Sequence, residues 1–405
     1  MLKNPVKNAT AILGAMLMST LLGVASSAFA EDVIRVGAPL PLTGPLSPEG
    51  EKQKRGYDLW AKTVNAEGGI SVGGKSYQVE IEYVDYESNT PRAVQTAERL
   101  ISENDVDFLF SPFGSGATKA ASGVSERYGI PTIAATASST AVYNQGYRYL
   151  FGTFTPNATL TDPLARLVKN SDEEIETVAI YARNDLFPLA IAEEMEKSAK
   201  KHGFEVVSFS EYAIGTMDHA SALTVMRREE PDWVFATGYI NDLILVRKQM
   251  SDLGLSPKVL TMIAGPAYQE FIDATGDLSN NVSSAAWWHP AVDYDGEGTF
   301  GTTDAYLEAF KEEYGARPDY AEASASAAGV ILQLAIQQAG TLDPKAVRDA
   351  LANMDTTTFY GPIRFGDTGQ IVSLEPPVFQ IQDREAKVIY PDSVKQTDLQ
   401  FGGIE

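Results

Sequence analysis

The chain contains no cysteine, which excludes disulfide staples, thiolate metal ligands and a cysteine nucleophile together. Histidine is scarce as well: His202, His219 and His289 lie far apart, and none forms the helical pair that suits zinc. No metal site and no cofactor are expected. Positive charge is the third shortage, with 32 Lys and Arg against 54 Asp and Glu and a formal charge of −22. That sign repels phosphate backbones and anionic lipid surfaces, and no basic stripe interleaved with aromatics offsets it, so nucleic acid is excluded as a partner. Beyond residue 30 no apolar run approaches the roughly 20 residues that span a bilayer. No direct membrane anchor is expected.

What is present at the start of the chain is an export pattern. Lys3 and Lys7 precede the apolar run Ala11 to Val24 and the small-residue site Ala28-Phe29-Ala30, which reads as a signal peptide cut after Ala30. With no cysteine beside that site, a lipidated N-terminus is excluded. Without its signal the chain is still long enough to bury an ample core, and its length suits two domains.

Short β-branched or aromatic runs alternate with helical patterns, the signature of βαβ units and a parallel sheet. Strands are expected at Val33–Val36, Val79–Tyr83, Asp107–Phe110, Thr132–Ala135, Val178–Tyr181, Glu205–Phe209, Trp233–Thr237, Val259–Met262 and Ser283–Trp287. Between them the apolar period moves from 2 to about 3.6. Tyr57, Trp60 and Val64 share one helix face, and so do Leu160, Leu164, Leu167 and Val168. Thr90-Pro91 opens another helix, with Thr90 as its cap and a proline in the first turn. After the turn Gly366–Gly369 the final segment reads as β-rich.

An exported α/β protein could be a hydrolase, but the chain has no Gly-x-Ser-x-Gly elbow and no nucleophile with a base beside it. His202 stands before Gly203 at a helix end, where an imidazole favours the dipole. The acidic loop Asp293–Gly298 lacks the twelve-residue calcium pattern and reads as solvated. More informative is the segment from Asp107 to Thr118, where a strand runs through Ser111-Pro112-Phe113-Gly114 into a helix with Ser115 and Gly116 at its first turn. Free N–H groups, the helix dipole and a hydroxyl make such a turn a seat for a small carboxylate, although Ser115 could equally be a simple cap. After the next strand comes a second hydroxyl-rich turn, Thr136-Ala137-Ser138-Ser139. Ligands of open parallel sheets bind beyond the carboxyl ends of the strands, so Thr136 and Ser138 are expected beside Ser115, with Phe113 next to them.

Several motifs, in order and spacing, resemble the periplasmic solute-binding proteins of ABC importers, in the branch of the leucine/isoleucine/valine-binding protein. They are Pro41-Leu-Thr-Gly-Pro45, Val64-Asn-Ala-Glu-Gly-Gly-Ile70, Gly73-Gly-Lys75, the run from Val84-Asp85-Tyr86 to Thr90-Pro91-Arg-Ala93-Val94, Tyr128-Gly-Ile-Pro131, Gly238-Tyr239 and Phe359-Tyr-Gly-Pro362. The resemblance covers nearly the whole chain after the signal. It implies a type I periplasmic binding fold: α/β, two Rossmann-like lobes with parallel central sheets joined by a multi-segment hinge. Lobe one would take residues 31–153 and 286–361, lobe two 154–285 and 362–405, with residues 1–30 as the signal. It further implies a monomer in the periplasm that closes on a small-molecule carboxylate and delivers it to an inner-membrane ABC permease. The carboxylate would lie on Ser115, Thr136 and Ser138. Phe187 and Tyr239 would cover the ligand, either ring being otherwise ordinary core, and one of Trp287 and Trp288 would line the cleft.

The chain departs from that family in three places. Amino-acid binders hold the ammonium with an acid in the loop aligned with Ile263-Ala-Gly-Pro-Ala-Tyr268, where this chain has none. Glu49 stands where a tyrosine is frequent and could supply the missing charge. The small-residue run Ala321–Ala328 either packs a helix closely or leaves room for a larger, aromatic ligand. The expected ligand is an amino acid of the branched-chain or hydrophobic class, the alternative an aromatic or aliphatic carboxylic acid. A ligand-sensing regulator of the same fold is the rival that an export signal disfavours.

Overall fold

The computed structural model describes residues 32–402. The signal peptide and its cleavage after Ala30 lie outside the described residues. The first half of the chain runs β1 (Val33–Leu40), α1 (Ser47–Ala66), the hairpin β2 (Ile70–Val72) and β3 (Lys75–Asp85), then α2 (Thr90–Ser102), β4 (Phe108–Phe110), α3 (Gly114–Tyr128), β5 (Thr132–Ala134), α4 (Thr140–Tyr143) and β6 (Leu150–Gly152). These strands form a six-stranded sheet in the order β2-β3-β1-β4-β5-β6, parallel except for the β2–β3 hairpin.

The chain then builds a second sheet from α5 (Ala158–Lys169), β7 (Thr177–Arg183), α6 (Leu186–Lys201), β8 (Glu205–Tyr212), α7 (Ala220–Arg228), β9 (Trp233–Thr237), α8 (Ile240–Asp252), β10 (Val259–Ile263), α9 (Gln269–Thr275) and β11 (Val282–Ala285). It continues through α10 (Thr303–Tyr314), α11 (Tyr320–Ala339), α12 (Pro344–Ala352) and the hairpin β12 (Asp355–Thr358) and β13 (Gly361–Arg364). The tail returns to the second sheet as β14 (Val378–Gln382) and β15 (Glu385–Tyr390), both antiparallel, giving the order β15-β14-β11-β10-β9-β7-β8. In each lobe, defined by its sheet, the first parallel strand lies between the second and the third. That reversal opens a crevice at the carboxyl edge.

The strands β4, β5, β9, β10 and β11 are buried along their whole length, as expected for parallel strands with helices on both faces. All nine expected strands form, with one informative difference in length: β11 stops at Ala285 rather than Trp287. Ala286 instead donates its N–H to Pro377 O at 3.1 Å, and Trp287 is carried off the sheet edge. The cap of α2 also differs. Asn89 rather than Thr90 stands there, its side chain accepting from Arg92 N at 3.1 Å. Asparagine caps by the same Asx geometry, which the Thr-Pro pair had masked.

The small-residue run settles in favour of close packing. α11 lies against α1, and the fit is tight enough that a Cβ on Gly56 would stand 2.3 Å from Glu322 O and 2.6 Å from Ala325 Cβ. Ser326 donates to Gly56 O at 2.7 Å and Ser324 to Ala135 O at 2.7 Å. The run therefore fixes lobe one internally and opens no room for a ligand; only Tyr320, just before it, reaches the cleft.

The segments crossing between the sheets are stitched to one another. Gln370 donates to Ser138 O at 2.9 Å and to Phe154 O at 3.1 Å, while Trp287 Nε1 donates to Thr155 O at 3.0 Å. These bonds position one of the two hydroxyl turns from behind.

Candidate ligand-binding site

Each parallel strand that ends at the crevice delivers a side chain to it. In lobe one, Glu49 follows β1 in the first turn of α1, Phe113 and Ser115 follow β4, Thr136 and Ser138 follow β5, and Phe154 follows β6. In lobe two, Phe187 follows β7, Tyr239 follows β9, Tyr268 follows β10 and Trp287 follows β11. Between them lies a narrow pocket lined by Phe113, Gly114, Thr136, Ser138, Phe154, Phe187, Tyr239, Trp287 and Tyr320.

The two hydroxyl turns are adjacent. Gly114 N donates to Thr136 Oγ1 at 3.2 Å, and Ser138 N and Ser139 N both donate to Ser115 Oγ at 3.2 Å. Ser115 is fully buried and stands behind the pocket rather than in its wall. It is not the cap of α3, a position held by Phe113 without a side-chain hydrogen bond. Its hydroxyl joins the turns. Thr136 Oγ1 in turn donates to Gln53 Oε1 at 3.2 Å, which ties the same turn to α1. Ser138 Oγ is buried in the pocket wall without a hydrogen-bond partner, and such an atom is costly unless something supplies one.

The remaining walls are aromatic. Phe154 stacks on Trp287 at 4.0 Å and 7°, and Tyr320 lies 5.8 Å from Phe154 and 5.7 Å from Trp287. Tyr239 reaches across to Phe113 at 5.7 Å and to Phe187 at 6.1 Å. Arg183 sets Tyr239 in place from the other side: its guanidinium is 4.9 Å from the ring centre and pairs with Asp242 at 2.7 Å, and Asp242 accepts from Tyr239 N at 3.0 Å. Burial keeps the Tyr239 phenol protonated far above its ordinary range, with Asp185 adding to the effect. Of the tryptophan pair, Trp287 lines the pocket, while Trp288 packs edge-on against Tyr306.

Glu49 is not in the pocket wall but one layer behind it, 1% exposed, with Oε1 accepting from Ile240 N at 3.3 Å across the lobes and Oε2 without a partner. Burial is the main reason its carboxyl is pushed up to about 7; Asp242 adds to this, and hydrogen bonds and Lys52 oppose it. Gly114 belongs to the turn marked from sequence but was not singled out, and Phe154 and Tyr320 were not foreseen. Phe154 had a usable signal, since it follows the third consecutive strand at the edge that supplies the two turns. Tyr320 had none.

A wider hollow that opens to solvent is lined by Lys52, Arg55, Tyr268, Glu270, Trp288, His289, Arg317, Asp319 and Tyr320 among others. Several of its charges are paired, Lys52 with Glu270 and Asp319 at 2.8 Å each and Arg55 with Glu322. Burial holds the His289 ring down at about 3, with Arg317 adding to the effect, so it is neutral. The smaller pocket is the one that the two hydroxyl turns and the rings of both lobes line together. Among the described residues no cluster of three or more acids or histidines could hold a metal, and no helix is long and apolar enough to cross a membrane.

The profile of the periplasmic binding protein family matches residues 33–385. The chain belongs to that family. This periplasmic binding protein is 30% identical to the Leu/Ile/Val-binding protein homolog 8 of Brucella suis biovar 1 (strain 1330), over 96% of this chain and 99% of that one. In fold it is similar to a leucine binding protein from Thermotoga maritima, with a TM-score of 0.79, 20% identity and coverage of 89% of this chain and 100% of that chain. It is also similar to an ABC-transporter solute binding protein from Rhodopseudomonas palustris BisB5 in complex with 3,4-dihydroxy benzoic acid, with a TM-score of 0.75, 19% identity and coverage of 92% and 96%.

Proposed function

We propose that this protein is a periplasmic receptor that captures a small carboxylate, foremost an amino acid of the branched-chain or hydrophobic class, and presents it to an inner-membrane ABC permease. The observation that carries the reading is the pocket itself, where an unpartnered Ser138 hydroxyl faces an otherwise aromatic enclosure at the carboxyl edges of two parallel sheets. The carboxylate would take hydrogen bonds from Ser138, from Thr136 once its hydroxyl turns from Gln53 to the ligand, and from the backbone of the two turns that Ser115 holds together. Phe113, Phe187, Tyr239 and Trp287 would enclose the remainder, with specificity set by shape. No bond is made or broken.

The crossings near residues 153, 285 and 361 would form the hinge. Closure would bury the ligand and create the surface that the permease reads. The receptor works as a monomer. The ring-lined wall also favours a second reading, an aromatic carboxylic acid, and the two are separated by a thermal-shift screen of leucine, isoleucine, valine and phenylalanine against benzoate and hydroxybenzoates. A ligand at 100 times its dissociation constant adds about 2.7 kcal/mol to stability. A shift with benzoates and none with any amino acid would overturn the leading ligand class, and no shift with either group would overturn the carboxylate site.

A further inference from the structure

Among the carboxylates around the pocket, Glu49 stands apart in having no cation. Asp185 and Asp242 share Arg183 at 3.7 and 2.7 Å, Asp319 and Glu270 share Lys52 at 2.8 Å each, and Glu322 pairs with Arg55. Glu49 is met only by backbone N–H groups, its own and that of Ile240, and its Oε2 has no hydrogen-bond partner. Its place is close to the ligand. Gln53, one turn further along the same face of α1, is hydrogen-bonded to Thr136 of the pocket wall, and Ile240 directly follows Tyr239 of that wall.

We propose that Glu49 is the counter-charge for a cationic group on the ligand, so that the site selects zwitterions over simple carboxylates. This rests on the reading of the pocket as a carboxylate site and adds the other end of the molecule. The carboxylate lies on the lobe-one turns after β4 and β5. The ammonium lies toward the start of α1, between Glu49 and the electron-rich faces of Tyr239 and Tyr320, which favour a cation. A buried acid without a counter-ion is costly and tends to neutralise, as the upward shift of Glu49 shows. The charged groups around it are Asp242 on α8 and Lys52 on α1, with Tyr86, Tyr239, Tyr268 and Tyr320 feeling its charge. Lys52 does not answer it, because its ammonium is taken by Asp319 and Glu270.

The test is calorimetric titration of the mature chain with two matched pairs, L-leucine against 4-methylpentanoate and L-phenylalanine against 3-phenylpropanoate. Wild type should prefer the amino acid of at least one pair by roughly 100-fold, the scale of leaving a buried charge unpaired. Glu49→Gln, which keeps the acceptor for Ile240 N, should erase that preference by weakening the amino acid and sparing its deaminated partner. Glu49→Asp should retain it. Wild type binding the deaminated acids as tightly as the amino acids would overturn the role of Glu49 and leave the carboxylate site standing. So would an undiminished preference in Glu49→Gln. Binding of none of the four would overturn the underlying reading and this inference with it. Should Glu49→Gln fail to fold, the wild-type pairs and Glu49→Asp still decide.

Discussion

The two lobes wind their parallel strands in the same order, yet they furnish the cleft differently. Lobe one supplies hydroxyls and backbone N–H groups from the turns after β4 and β5, with the rings of Phe113 and Phe154 beside them, while lobe two supplies rings alone, from the ends of β7, β9 and β11. The same topology thus carries a polar clamp on one side and a purely aromatic cover on the other. Hydrogen bonds need fixed geometry, and lobe one has it: Ser115, Gln53 and Gln370 each tie a turn in place. Rings contribute area and tolerate small shifts, which would suit a lobe that closes over a ligand.

That contrast can be broken from either side. The largest effect is expected from Trp287→Ala, which removes a ring stacked on Phe154 and should lower stability by about 3–5 kcal/mol; denaturant unfolding measures it, and a loss below about 1 kcal/mol would mean the ring is dispensable cover. Next comes the pH dependence of Glu49→Gln without ligand. A carboxyl raised from 4.5 to about 7 on burial contributes stability that is fully present below its unfolded value and is lost as pH rises from about 4.5 through about 7. The variant should therefore gain on wild type between about pH 4.5 and 7, by no more than about 3 kcal/mol, whereas equal stability at pH 5 and pH 8 would contradict a buried Glu49. Ser115→Ala with Thr136→Ala should weaken ligand binding roughly 100-fold, about 2.7 kcal/mol, with the circular dichroism spectrum unchanged. Unchanged affinity would remove the polar half of the comparison. Smallest is Ser138→Ala: its hydroxyl has no hydrogen-bond partner within the protein, so melting temperature should hold or rise slightly while affinity falls about tenfold. A loss of melting temperature would show that Ser138 is structural.

Much of this was legible because strand ends are legible. Trp233–Thr237 and Val259–Met262 announce themselves as short β-branched and aromatic runs, and the rule that ligands sit beyond the carboxyl ends then marks Ser115, Thr136 and Ser138 without coordinates. What sequence could not resolve is depth. Ser115 and Glu49 stand one layer behind the pocket wall, because a turn offers several layers of side chain and only packing decides which layer forms the wall. Tyr320 was missed for a related reason: it lies past α10, brought to the cleft by the packing of α11 on α1. Trp287 and Trp288 were inseparable until β11 ended at Ala285 and turned one ring inward and the other into the core.

Lys52 bridges Asp319 in its own lobe and Glu270 in the other, and Glu270 is half exposed while Lys52 and Asp319 are buried. Were the lobes to part as the proposed hinge requires, the ammonium would keep one carboxylate and the departing one would meet water. Neither lobe would be left with a stranded charge at this pair, so the jaw would gape and shut many times over at small electrostatic cost, as a shuttle that unloads and returns requires.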